Sequence, residues 1–231
     1  VPEPAASPIH LRPTAALAER VLLPGDPGRA LALAQSVLGD DRLMFNHHRG
    51  LWGYTGTAAD GEPLTIQSTG MGGPSAAIVL EELVALGVRR AVRVGTARGV
   101  DATLNPGDLL AATGVVADDG TSRALGATRH QTLDGPLTDH LVDAADRDGT
   151  IASHDLLYAP DAAALTEAWG AAGALAADLE TGALAAVAAR HGIAFAAIVT
   201  IALDVRGTRC DDEVLTAAGD AAGRAATHAL A

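Results

Sequence analysis

Three places in this chain of 231 residues set an arginine beside glycine: Gly25 with Arg29, Arg49 with Gly50, and Arg93 with Gly95. Thr96 adds a hydroxyl to the third. Glycine lets the backbone approach a ligand closely, so amide N–H groups can join guanidinium groups around one oxyanion. Charge-assisted hydrogen bonds of this kind are worth about 1.5–3 kcal/mol each. All 16 basic residues are arginine, and there is no lysine. A Walker lysine and a Schiff-base lysine are therefore excluded, and any side-chain cation holding phosphate must be a guanidinium fork. Taken singly, each arginine could be an ordinary surface charge; taken together, they point to one anion site.

The remaining composition narrows the partners. The formal charge is −12, which disfavours nucleic acid and anionic membrane surfaces. The single cysteine, Cys210, cannot form an internal disulfide, and no cysteine cluster suggests a metal. The His47-His48 pair lacks a third ligand at helical spacing and is expected to pack on a strand, so no metal is expected. No signal-peptide pattern and no long apolar run occur, so a soluble cytoplasmic protein is expected. Hydrophobic residues make up 48% of the chain and aromatics 3%, so the core must be built from Ala, Val, Leu and Ile.

These residues need a scaffold, and the hydrophobic pattern supplies one. Residues 1–10 form an extended arm. A short strand at Val21–Leu23 leads through Pro24-Gly25-Asp26-Pro27-Gly28-Arg29 into a helix ending near Val37. Residues 42–57 make two antiparallel strands, and Leu64–Ser68 another. A helix spans Ser75–Leu86; a strand covers Ala91–Val94 and stops at Gly95. A strand at Asp108–Val116 precedes a turn-rich stretch, 117–136. Helices follow at 138–147, 161–169 and 181–190, alternating with strands near 150–153, 175–179 and 194–200; a last helix follows Asp211. This alternation predicts a single-domain α/β fold, three layers α/β/α around a central mixed sheet, with the polar ends of the strands forming the ligand crevice.

Longer stretches carry a resemblance. Ser68-Thr69-Gly70-Met71-Gly72-Gly73-Pro74-Ser75-Ala76-Ala77-Ile78, followed by Glu82-Leu83, resembles the signature of the nucleoside phosphorylase family, which includes bacterial purine nucleoside phosphorylase and uridine phosphorylase. Leu23 to Arg29 looks like its phosphate loop, Asn46 to Gly56 like its second arginine segment, and Arg93-Val94-Gly95-Thr96 like its third. The resemblance runs from His10 to about Asp204. It implies phosphorolysis of a nucleoside to free base and ribose 1-phosphate, with inorganic phosphate as co-substrate and no other cofactor.

The resemblance also implies roles. Gly25, Arg29, Arg93 and Thr96 hold phosphate within one subunit. Arg49 reaches it from a neighbour, and His10 crosses over to the ribose 5′-hydroxyl. Leu179 and Glu180 fall where the family has a Met-Glu pair; Glu180 takes the ribose 2′- and 3′-hydroxyls. Its junction position is also one where a helix dipole favours a carboxylate, but the resemblance favours the ribose role. A homo-oligomer, hexamers built from dimers, is implied.

The base is less settled. Ile201-Ala202-Leu203-Asp204-Val205 aligns with the segment carrying an acid in purine enzymes, and a positioned acid is worth ~10²–10⁴-fold to a leaving purine. Asp155 to Asp161 resembles the purine version, with Tyr158 either flanking the base or simply half-buried, whereas Gly70 to Thr96 is closer to uridine members. Three departures stand out. Arg98 replaces a glycine beside the base pocket, where it could narrow the pocket, select an unusual base or turn outward. Ala217 replaces a final-helix arginine that helps the acid, a role Arg206 or Arg209 could assume. Leu203 replaces a small residue before the acid. The purine reading leads; a pyrimidine phosphorylase and a catalytically weak nucleoside-binding homologue remain open.

Overall fold

The computed structural model describes residues 8–231; the predicted arm falls partly outside it, at residues 1–7. The strands are β1 (Arg20–Leu23), β2 (Leu43–Asn46), β3 (Gly53–Thr57), β4 (Pro63–Gln67), β5 (Arg90–Gly99), β6 (Leu109–Ala117), β7 (His130–Thr132), β8 (Arg147–Ser153), β9 (Ala174–Asp178) and β10 (Ala194–Leu203). The helices are α1 (Pro27–Val37), α2 (Gly73–Leu86), α3 (Gly120–Ala124), α4 (Gly135–Val142), α5 (Ala162–Ala171), α6 (Thr181–His191) and α7 (Asp212–Ala229). All form one mixed α/β unit around one mixed sheet, as the alternation predicts.

The sheet has an open wing and a closed end. β1 lies parallel between β4 and β5, and β3 and β2 extend the wing antiparallel. At the other end, β5 pairs with both β10 and β9, while β6 and β8 link those two strands. The five strands therefore close on themselves, which removes two exposed edges.

Apolar side chains pack on both faces of the sheet. α2 and α6 cover one side through Leu80, Leu83, Leu184 and Val187; α1, α4 and α7 cover the other through Leu33, Leu141 and Ala226. Each fully buried Leu or Val contributes about 1.5–3 kcal/mol. With so few aromatics, close helix approach does the packing. On α7, Gly223 faces Leu33 of α1 so closely that a Cβ would lie 2.2 Å from its Cδ2. One turn earlier, Gly219 leaves space for the Arg29 side chain, 3.6 Å from such a Cβ to Nε.

Some boundaries differ from the expectations. β5 does not stop at Gly95 but runs on to Gly99, because β9 and β10 flank it there and satisfy its backbone. α4 begins three residues early, where Asp134 caps it and Pro136 suits the first turn, and it ends at Val142. The turn-rich stretch holds α3, capped by Asp119, and β7. His47 and His48 are not packed on a strand: they lie at the 3-10 turn His48–Gly50 between β2 and β3. Among the described residues no helix is long and apolar enough to cross a membrane.

Candidate active site

A cavity of about 360 Å³ opens where β1, β4 and β9 end beside the middle of β5. Gly25, Arg29, Gly70, Met71, Arg93, Gly95, Thr96 and Glu180 line it. The two arginines come 64 residues apart in the chain and meet at one wall.

Arg29 stands in the first turn of α1. Asp26 caps that helix, its carboxylate accepting the Arg29 N–H at 2.7 Å. An anion here meets a helix N-terminus as well as a guanidinium. Burial and the neighbouring Arg93 both lower the Arg29 pKa, with Asp26 opposing them. Two like charges brought together in this way favour an anion between them.

Arg93 is the largest fully buried side chain, 2% exposed. Its Nε donates to Asp178 at 3.0 Å and to Thr181 at 3.2 Å; Nη2 donates to Glu180 at 2.7 Å. Nη1 is buried with no hydrogen-bond partner. Burial lowers the Arg93 pKa, but Glu180 and Asp178 outweigh that and raise it, so the group stays charged. Gly95 lies beneath this side chain: a Cβ there would meet the guanidinium carbon at 2.6 Å. Asp178 is the residue that sequence reasoning missed. It accepts from Ser153 at 2.6 Å and from both the N–H and hydroxyl of Thr181. The signal available was a buried acid ending a strand, two residues before Glu180.

Glu180 occupies the capping position of α6 but makes no side-chain cap bond. Its Oε1 instead accepts the N–H of Gly72 at 2.6 Å, and Oε2 holds Arg93. Gly70 and Gly72 both have positive φ, 72° and 87°, so the loop after β4 turns tightly enough to aim that N–H. Leu179 beside it is half-buried and does not line the cavity.

Asp204, at the end of β10, is fully buried. Its carboxylate accepts from the N–H groups of Arg206 and Thr208 at 2.9 and 2.7 Å, and from the Arg206 guanidinium at 2.9 Å. Burial raises its pKa, but these bonds outweigh burial and hold it below the usual carboxylate range. The α7 position expected to hold an arginine, Ala217, lines a second, larger cavity between α1 and α7, whose wall includes Arg29. Arg206 takes the guanidinium position against the acid, while Arg209 bridges back to Leu203 through its backbone.

Like Leu179, Arg98, Asp204 and Arg206, the predicted residues Tyr158, Arg49 and His10 do not line the cavity of about 360 Å³ in their own chain. Tyr158 is 92% exposed, neither half-buried nor part of the cavity, because the loop after β8 runs out over the surface. Arg49 is exposed, and among the described residues it is the only non-glycine with positive φ, 60°. That conformation costs about 1–2 kcal/mol. His10 is half-buried and tied to the same corner. Buried Glu82 accepts the N–H groups of Ile9, His10 and Leu11 at 2.7–3.0 Å, and the ring of His48 donates to the His10 carbonyl at 2.9 Å. His10 and Arg49 thus ride on one fixed edge of the molecule. Among the described residues no cluster of three metal-ligating side chains occurs.

Known proteins share this arrangement of chain. The model of the phosphorylase superfamily matches residues 19–231. A DeoD-type purine nucleoside phosphorylase of Clostridium beijerinckii is 34% identical over 203 residues, covering 84% of each chain. A guanosine phosphorylase of Halorubrum lacusprofundi is 34% identical over 224 residues, covering 90% of this chain and 89% of its own. A uridine phosphorylase from Vibrio fischeri superposes with a TM-score of 0.83 at 25% identity, over 93% of this chain and 91% of its own. This chain belongs to the phosphorylase superfamily, and its relatives there are nucleoside phosphorylases.

Proposed function

We propose that this protein phosphorolyses purine nucleosides, giving free base and ribose 1-phosphate. One observation carries the reading: Arg29 and Arg93 converge on one cavity with Gly25, Thr96 and Glu180, and Arg93 keeps an enclosed N–H group without a protein partner. Phosphate supplies the missing acceptor. Its attacking oxygen bonds to C1′ as the bond from C1′ to the base breaks, the electron pair leaving with the base. Fixed cations position the anion and hold it through an oxocarbenium-like transition state. Glu180, beside Arg93, accepts from the ribose hydroxyls, and Asp204, in its protonated form, donates to N7 of the leaving purine.

The purine and guanosine phosphorylases among the relatives support this reading, as does the buried carboxyl at 204. A uridine substrate is the second reading, favoured by the uridine phosphorylase structure. In a dimer-based assembly, the hexamer of the family, Arg49 and His10 complete a neighbour's site; the strained Arg49 and the pinned His10 suit such a role. The cytoplasm is the proposed compartment.

The test is turnover of inosine, adenosine and uridine with and without phosphate. Purine cleavage only with phosphate supports the proposal; cleavage of uridine alone overturns the purine part. Asp204→Asn should then slow purine cleavage far more than it weakens phosphate binding. Arg49→Ala should raise the phosphate KM if sites are shared, and a monomer in solution would rule sharing out.

A further inference from the structure

We infer that Asp26 selects phosphate over sulfate by accepting the hydrogen bond from the anion's own O–H group; this rests on the reading of the cavity as a phosphate site. At neutral pH phosphate carries a proton on at least one oxygen, and sulfate carries none. The two anions share shape and size, so guanidinium and amide N–H donors hold both alike. Only a group that accepts and cannot donate tells them apart. Asp26 is such a group, and it lines the cavity together with Gly25, Arg29, Arg93 and Thr96.

The other acceptors of that cavity are spoken for or do not discriminate. Its second carboxylate is Glu180, whose Oε1 accepts the Gly72 N–H at 2.6 Å and whose Oε2 accepts from Arg93 at 2.7 Å. The Thr96 hydroxyl donates as readily as it accepts, so it suits either anion. The Gly25 carbonyl already accepts the Gly70 N–H at 3.0 Å and carries no charge to repel sulfate. On Asp26, Oδ2 accepts the Arg29 N–H at 2.7 Å as the cap of α1, while Oδ1 accepts no hydrogen bond among the described residues.

The cap fixes the carboxylate in place. Gly28 leaves the room it occupies, since a Cβ there would lie 2.9 Å from Oδ2. Asp26 and Arg29 are also the two residues that this cavity shares with the larger one between α1 and α7, so acid and guanidinium stand at one wall. A carboxylate in an anion site repels its ligand, unless the ligand brings a proton. Phosphate turns the repulsion into a charge-assisted hydrogen bond; sulfate meets the repulsion alone. The same bond orients the nucleophile. The protonated oxygen attacks poorly, and held by Asp26 it leaves the unprotonated oxygens to Arg29, Arg93 and C1′. Binding transfers no proton.

The experiment measures phosphate and sulfate binding by calorimetry to wild type, Asp26→Asn and Asp26→Ser. Asn and Ser cap helices about as well as Asp, so α1 should persist, and circular dichroism checks it. Wild type should bind phosphate at least about tenfold more tightly than sulfate. In both variants phosphate should weaken about tenfold, while sulfate should tighten about threefold or more. Shifts in opposite directions cannot come from general damage to the site. Equal wild-type affinity for the two anions, or variants in which both anions weaken together or neither changes, overturns the role of Asp26 and leaves phosphorolysis standing. The expected shifts in a protein that cleaves no nucleoside support the role of Asp26 and overturn phosphorolysis. A wild type that binds neither anion overturns both.

Discussion

Arg93 and Asp178 form a salt bridge of 3.0 Å whose side chains are 2% and 1% exposed, between two strands that meet antiparallel at the closed end of the sheet. A buried ion pair holds its place only when every remaining polar atom is satisfied. Asp178 meets that condition through Ser153 and Thr181. Arg93 keeps Nη1 buried without a protein partner, so the pair is a mount for one donor that a ligand's acceptor would satisfy.

Asp178→Asn should test that mount. It leaves the shape but removes the charge that anchors Nε, and breaking a buried pair costs about 3–5 kcal/mol. Thermal unfolding should shift down by several degrees, and phosphate KM should rise at least about tenfold in the folded fraction. An unchanged phosphate KM with an unchanged melting temperature would show that Arg93 is held by Glu180 and Thr181 alone.

Gly95→Ala probes the same side chain from beneath. The added methyl would lie 2.6 Å from the Arg93 Cζ, and Arg93 cannot swing away while Asp178 and Glu180 hold it. Steady-state kinetics should show phosphate binding weakened about tenfold or more, with circular dichroism unchanged. Normal phosphate kinetics would mean that the strand shifts to absorb the methyl.

Arg206→Ala should move the pH profile. The Asp204 carboxyl is held low because bonds from Thr208 and Arg206 outweigh its burial, so it is ionised near neutrality. If its protonated form serves the leaving purine, turnover falls as pH rises through its pKa. Removing Arg206 raises that pKa, and the falling limb should move to higher pH. A limb that stays in place in the variant would separate Arg206 from proton delivery.

Asp60 gives a pH test of stability away from the site. Its pKa is lowered to about 2, chiefly by the hydrogen bond from buried Arg20. A depressed carboxylate stabilises the fold above its unfolded pKa, and the contribution fades as pH falls from about 4 toward 2. Asp60→Asn should therefore destabilise the protein by about 1–3 kcal/mol at pH 7 and by little at pH 2. Arg20 retains the carbonyls of Pro63, Glu62 and Leu230, which places the loss near the lower figure. Urea denaturation at the two pH values measures the difference.

Much of the anion site is a local matter, and local matters are legible in a sequence. Gly25 to Arg29 is a strand end, a cap and a first helical turn, all set by neighbours within a few residues. Absent lysine, every phosphate cation had to be arginine, and alternating strands and helices required an α/β layer structure. What tertiary structure decided was long-range. Asp178 reaches Arg93 across 85 residues, Glu180 reaches Gly72 across 108, and Gly219 clears a path for Arg29 from the far end of the chain. Closure of β5 onto both β9 and β10 extended the strand past Gly95 and enclosed the Nε of Arg98. The same folding sent Tyr158 to the surface. Side-chain periodicity says which face of a strand is apolar, but only packing of distant elements fixes which strands become neighbours and which charges lose their water.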